Sequence, residues 1–206
     1  MKRMLIASAL IGFCLAASGL SAKEDNASNL RAVIKLAKGG EIVIKFYPQD
    51  APKSVANFIK LARKGFYNGL TFHRLVPGFV AQGGDPNGDG SGGPGYTIQG
   101  EFSENGWNNQ QKHVKGAVAM ARTNDPNSAG SQFYICLDAQ PALDGKYAVF
   151  GQVVKGMEYV DQIQIGDKIE KISILGGTPK KPVAKPTMES APANTSATPT
   201  DSGAKN

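Results

Sequence analysis

The chain has 206 residues, 41% of them hydrophobic, and a formal charge of +6. That suits one globular domain with some non-globular extension. The lysines and arginines are dispersed and form no basic stripe, which excludes an ordinary nucleic-acid binder.

The first 22 residues, MKRMLIASALIGFCLAASGLSA, have a basic start at Lys2 and Arg3, an apolar run from Leu5 to Ala17, and small residues before Lys23. This pattern predicts a secretory signal peptide cut after Ser21 or Ala22. The run is short for a bilayer span, which needs about 20 residues. Phe13 before Cys14 does not fit a lipoprotein signal. No stable membrane insertion is expected after cleavage. Loss of Lys2 and Arg3 lowers the formal charge by two, to +4. Loss of Cys14 leaves Cys136 without an internal disulfide partner. Inside FYICL, Cys136 reads as a small buried hydrophobe.

Residues 23–29, KEDNASN, are polar and expected to be flexible. Residues 30–37 and 41–47 are apolar-rich and partly alternating, and Lys38-Gly39-Gly40 supplies the turn of a β-hairpin. A helix is predicted next, with Asp50 as cap and Pro52 in the first turn. Val55, Phe58, Ile59 and Ala62 form its apolar stripe, and Gly65 ends it. Short strands are expected at 70–75, 79–83, 96–98, 116–121, 131–137 and 147–153, then a helix near 157–164 and a strand at 168–175. About eight strands and two helices with Gly-rich connections point to a mainly β fold, a sandwich or a closed barrel plugged by the helices. From residue 177 the chain is built of Pro, Ala, Thr, Ser and Lys. It lacks the apolar area to offset chain entropy and is expected to be a disordered tail.

Several chemical signals fail on context. GDGSGG (88–93) matches a dinucleotide fingerprint, but Pro94-Gly95 and an apolar triplet follow instead of a helix. His73 and His113 have no Cys, Asp or Glu at ligand spacing, so no metal is expected, and no cofactor is implied. His73 reads as structural. Ser131 has no histidine linked to it by motif. Trp107 gives no reason to be assigned to a site.

The stretch FHRLVPGFVAQGGD (72–85) resembles the cyclophilin family of peptidyl-prolyl cis–trans isomerases. So do APKSVANFIKLARKGFYNG, GSGGPGY, GAVAMAR, NSAGSQFYI and LDGKYAVFG, in family order and near family spacing, from Leu30 to Gly176. The resemblance implies a closed eight-stranded antiparallel β-barrel capped by two α-helices, with the active site outside the barrel. Carried over by motif, the catalytic residues are Arg74 and Gln82. Substrate contacts fall to Phe79, Val80, Ala121, Arg122, Tyr134, Leu143 and Tyr147. Val80 stands where many members have methionine, Tyr134 where phenylalanine is common, Tyr147 where histidine is common, and Arg122 where asparagine acts mainly through its backbone. Ala142 stands where cyclosporin-sensitive members carry tryptophan.

The chemistry explains the lack of a nucleophile. Rotation about X–Pro meets a barrier of about 18–20 kcal/mol from amide conjugation. No bond breaks, so a catalyst need only bind the twisted state better than either planar one. The twisted nitrogen regains a lone pair, and Arg74 offers it a planar fork of donors that does not titrate. Pairing across Val76-Pro77-Gly78 is expected to place Arg74 opposite Val80, with Gln82 and Val80 on one face. In FYICL, Phe133, Ile135 and Leu137 are expected to point inward and Tyr134 toward the pocket.

The expected partners are proline-containing peptides and unfolded client proteins, bound by a monomer. The alternative is a proline-peptide binding module with little catalysis. Export to a bacterial periplasm is the first expectation for location. A eukaryotic secretory pathway is the alternative, where Asn26 and Asn194 lie in glycosylation sequons.

Overall fold

The computed structural model describes residues 29–177. The expected signal peptide, the 23–29 segment apart from Asn29, and the tail beyond Gly177 lie outside these residues. Eight strands form one antiparallel sheet: β1 (Arg31–Leu36), β2 (Glu41–Phe46), β3 (Phe72–Val76), β4 (Val80–Gly83), β5 (Ala117–Met120), β6 (Phe133–Cys136), β7 (Val149–Lys155) and β8 (Ile169–Leu175). Helix α1 spans Pro52–Arg63 and the short α2 spans Met157–Val160. The expected 96–98 strand is only a bridge, Ile98 to Ala129.

The sheet order is β3-β4-β6-β5-β7-β2-β1-β8. Register shifts at Lys35/Leu36, Val43/Ile44, Phe72/Arg74 and Val118/Ala119 break the ladders. Such bulges raise local twist and bend the strands that carry them, so the sheet curls. At its two edges, Thr71 bridges Lys168, and Ile169 N donates to Leu70 O at 2.8 Å.

Alternation decides the inner face. In β1 and β2 the buried residues are Ala32, Ile34, Leu36, Ile42, Ile44 and Phe46, with Ile34 paired to Ile42 and Ala32 to Ile44. The core between the sheet and α1 is aromatic. Phe58 lies 5.1 Å from Tyr67, 5.3 Å from Phe133 and 5.3 Å from Phe150, centroid to centroid. The predicted stripe Val55, Phe58, Ile59 and Ala62 is buried, at roughly 1.5–3 kcal/mol for each large side chain. Gly65, at φ +70, takes the left-handed conformation that ends the helix,.

Asp50 does not cap α1. The N-cap is Ala51, with no side-chain cap bond, so Asp50 sits one residue too early to reach the free amides. Its carboxylate accepts from Gln111 Nε2 at 2.8 Å instead. The cap comes from far along the chain: buried Glu101 accepts from Lys53 N at 2.7 Å, Ser54 N at 2.8 Å and Ser54 Oγ at 2.7 Å. A carboxylate also complements the positive end of the helix dipole. Burial raises the Glu101 carboxyl above its usual range, and these donors only partly offset that.

Candidate active site

β3 and β4 form a hairpin whose turn the sequence dictates. Pro77 fits the first central position, and Gly78 takes φ +68 at the second, the pattern of a type II turn. Phe79 N closes it on Val76 O at 3.0 Å. The register differs from the expectation. Val76 lies opposite Val80, and Arg74 lies opposite Gln82. A tight turn leaves Val76 and Val80 as the closing pair, so Arg74 pairs two residues further along β4. The two polar residues are thereby direct cross-strand neighbours.

Val80, Ala117, Ala119, Tyr134, Cys136 and Val149 make a second buried apolar cluster, separate from the main core. Phe79, Ala121, Leu143 and Tyr147 pack against it. The structure thus gathers all six apolar residues chosen from sequence into one outer patch. Phe133 and Ile135 enter the main core and Leu137 packs on it, so the chain alternates through FYICL as expected. Burial pushes the Cys136 thiol up to about 12, which leaves it an inert hydrophobe. Ala142 is exposed on the short helical turn Pro141–Leu143.

Arg74 stands exposed at the rim of this patch. Its guanidinium lies 5.8 Å from the Phe79 ring centroid, and Nη1 donates to Gln82 Oε1 at 3.3 Å. Gln82 Nε2 donates to Gln132 Oε1 at 2.9 Å. Gln132 Nε2 donates to Gly90 O and Gly92 O, each at 2.9 Å. The direction of this chain is forced: arginine can only donate and the carbonyls can only accept, so both amides must orient as they do. Asp85 holds the Gly-rich loop by accepting from Asn87 N, Asp89 N and Gly90 N. Gln132 was not chosen from sequence. The available signal was its place two residues before Tyr134, which puts it on the same face.

Arg122 turns its donors back on the chain. Nε and Nη2 donate to Lys146 O at 3.1 and 3.0 Å, and Nη1 to Thr123 O at 2.7 Å. Its guanidinium lies 4.5 Å from the Tyr147 centroid and 5.1 Å from Phe102. Arg122 therefore fixes the Tyr147 side of the patch.

Behind Tyr134 lie two more residues that sequence reading missed. Tyr134 Oη is 3.0 Å from His113 Nε2, and His113 Nδ1 is 3.0 Å from Asp144 Oδ1. His73 stays outside the patch, with both ring nitrogens buried and unpaired among the described residues. Trp107 also stands apart, donating from Nε1 to Asp50 O at 2.8 Å. Among the described residues no three His, Cys, Asp or Glu side chains gather as a metal group. Concavities near Lys38 and Tyr159, and near Pro77 and Asp161, do not include the patch.

An apolar platform on the outside of a curled sheet, with a braced arginine at its rim, is the arrangement the motifs imply. A family model described as "Cyclophilin type peptidyl-prolyl cis-trans isomerase/CLD" matches residues 32–191. The chain belongs to the cyclophilin family. It is similar to "Peptidyl-prolyl cis-trans isomerase B" of Bacillus subtilis, 46% identical over 141 residues, covering 68% of this chain and 95% of that protein. Among solved structures it resembles a Cryptosporidium parvum cyclophilin type peptidyl-prolyl cis-trans isomerase, with TM-score 0.64 and 28% identity over 73% of this chain and 99% of that one. A crystal structure of that protein in the presence of the dipeptide Ala-Pro matches with TM-score 0.59, 28% identity, and coverage of 72% and 99%. As a cyclophilin the chain is a peptidyl-prolyl cis–trans isomerase, and the mainly β, eight-stranded fold with two helices agrees with that family.

Proposed function

We propose that this cyclophilin speeds rotation about X–Pro bonds in exported proteins as they fold, and that the outer patch is where it does so. The carrying observation is the placement of Arg74: a non-titrating donor, stacked on Phe79 and held by Gln82, at the edge of an apolar patch. The proline ring lies on Phe79, Val80, Ala121, Tyr134 and Leu143, which remove it from water. Arg74 then donates to the proline nitrogen as conjugation is lost. One charge-assisted hydrogen bond provides about 1.5–3 kcal/mol, so desolvation in the patch must supply the rest. The relative crystallised with Ala-Pro supports proline-containing peptides as the ligand class. The signal-like first 22 residues support export, with the bacterial periplasm as the location.

A protease-coupled assay on a Pro-containing peptide tests the activity. A faster cis-to-trans phase is expected with the native protein and not with Arg74→Ala. Binding of the peptide without that acceleration would make the chain a binding module instead. Fractionation of the native source tests export: the chain is expected outside the cytoplasm, shortened by about 22 residues.

A further inference from the structure

The isomerase chemistry uses Arg74 and an apolar patch, and leaves one buried chain of titratable groups without a role. Tyr134 is 5% exposed and forms part of that patch. Directly behind it, His113 is 2% exposed, with its ring stacked near parallel at 6.1 Å from the Tyr134 centroid. Asp144 takes both the His113 backbone N–H, at 2.8 Å, and the Nδ1 side of the ring, at 3.0 Å.

The proton positions in this chain follow from its end. An ionised carboxylate only accepts, so His113 Nδ1 carries the hydrogen. In the neutral ring Nε2 is then a bare acceptor. Among the described residues the only group facing it within hydrogen-bond distance is Tyr134 Oη at 3.0 Å, so the hydroxyl must donate. Among the described residues that hydroxyl has no other hydrogen-bond partner. The chain therefore consumes the one polar hydrogen that a tyrosine brings to a pocket meant for a proline ring.

We infer that His113 is a positioning residue for the proline patch: through its bare Nε2 it holds the Tyr134 hydroxyl turned away from substrate, with Asp144 setting the tautomer, so that Tyr134 presents only ring carbon. This rests on the isomerase reading of the same patch. An unheld hydroxyl there would either remain buried without a partner or swing toward the peptide, and both work against an apolar pocket.

The surroundings keep His113 neutral near pH 7. Burial lowers its pKa from the ordinary value of 6.5, Asp144 opposes that, and Lys112 lowers it further. The other groups around the chain are Tyr147, edge-on to His113 at 6.4 Å, Arg122 over Tyr147, and Cys136 beside Tyr134 in the cluster. Tyr147 also meets Tyr134 edge-on at 5.9 Å, and none of these groups hydrogen-bonds the Tyr134 hydroxyl in the structure, which is 3.0 Å from His113 Nε2. When His113 gains a proton in acid, Nε2 becomes a donor, the hydroxyl hydrogen loses its place, and the patch loses its shape.

Three measurements on the full chain test this. Ring nitrogen shifts by NMR at pH 7.5 are expected to show His113 as the Nδ1–H tautomer; an Nε2–H tautomer overturns the inference. In steady-state kinetics with a Pro-containing peptide, His113→Phe is expected to raise KM about three- to tenfold, the worth of one hydrogen bond, with a smaller change in kcat. His113→Gln, whose amide oxygen can accept, is expected to restore most of it. In a Tyr134→Phe background, His113→Phe is expected to add less than about twofold, since no hydroxyl remains to be held. An equal loss in both backgrounds would mean that His113 acts only as structure. If the His113 variants do not fold, the native pH profile decides: KM is expected to rise as pH falls below 6.5, and not to do so in Tyr134→Phe. A flat native profile overturns the inference. A native protein without catalysis would sink the isomerase reading, while the tautomer would still decide whether His113 holds Tyr134.

Discussion

Strands β4, β5 and β6 present two different surfaces. Their inward residues, Ala81, Val118, Met120, Phe133 and Ile135, join the main core. Their outward residues, Val80, Ala117, Ala119, Tyr134 and Cys136, form the outer patch. The inner face is held by packing: Phe133 sits among Phe58, Tyr67 and Phe72 at 5.3, 5.8 and 6.3 Å. Close-packed carbon of this kind tolerates a change of shape if volume is kept. The outer face is smaller, and its polar edges are held by two one-way hydrogen-bond chains, Arg74–Gln82–Gln132–Gly90 and Tyr134–His113–Asp144. A directional chain tolerates no change of polarity, because each member sets the role of the next. Stability therefore belongs mainly to the inner face, and the proposed chemistry to the outer one.

The largest expected effects separate the two faces. Phe133→Ala should cost about 3–5 kcal/mol of stability by denaturant unfolding, while the fraction that stays folded keeps most of its turnover. Arg74→Ala should do the reverse. It should lower kcat/KM at least about 100-fold, or ~3 kcal/mol of transition-state stabilisation, with little change in melting temperature because the side chain is exposed. Arg74→Lys should also be poor, since a flexible point charge does not replace a planar fork. A rate near native in folded Arg74→Ala would remove the assignment of the outer patch.

The rim of the patch gives the next effect. Ala142 is exposed beside Leu143, and offers neither the broad apolar face nor the N–H of a tryptophan. The missing hydrogen bond and contact are worth roughly 2–3 kcal/mol together. Cyclosporin should therefore inhibit weakly, and Ala142→Trp should tighten it about 30- to 150-fold with little effect on catalysis. Nanomolar inhibition of the native protein would show that this position does not govern drug binding. Gln132→Ala breaks the longer chain in the middle without touching Arg74. A loss of about five- to tenfold in kcat/KM is expected, near the worth of one hydrogen bond, and an unchanged rate would leave Gln132 only as an anchor for the Gly-rich loop.

The two faces were also unequally legible in the sequence. Alternation in 131–137 and the stripe of α1 showed which residues pack inward there, and the partial alternation of 30–37 and 41–47 marked the first hairpin, because burial follows local periodicity. The six apolar site residues carried over by motif resemblance fall together in the outer patch. What escaped were partnerships across long sequence separations. Glu101 caps a helix 47 residues away through Ser54, and His113 meets Asp144 at a separation of 31. No local pattern encodes such pairs. The Arg74–Gln82 pairing escaped for a different reason: it depends on which residues close the turn, and a shift of that closure moves every later partner.

The smallest expected effect lies in the pH dependence of stability, where one group serves each face. Burial lowers His113, against the opposing pull of Asp144. Between its folded value and 6.5 the unfolded chain binds more protons than the folded one, so stability rises with pH there. The contribution is fully present above 6.5 and is lost as pH falls through that window. Glu101, which caps α1 over the inner core, has the opposite sign. Burial raises it above 4.5, although Lys53 and Ser54 donate to it. Between 4.5 and its folded value the folded chain binds more protons, so stability there falls as pH rises,. For one proton neither slope can exceed about 1.4 kcal/mol per pH unit. Subtracting the unfolding free energies of His113→Gln from those of the native protein, pH by pH, isolates the first contribution. The difference should grow as pH rises toward 6.5 and then level off. A difference that stays flat, or shrinks with rising pH, would mean that folding does not favour neutral His113, and the bare Nε2 behind Tyr134 would lose its physical basis.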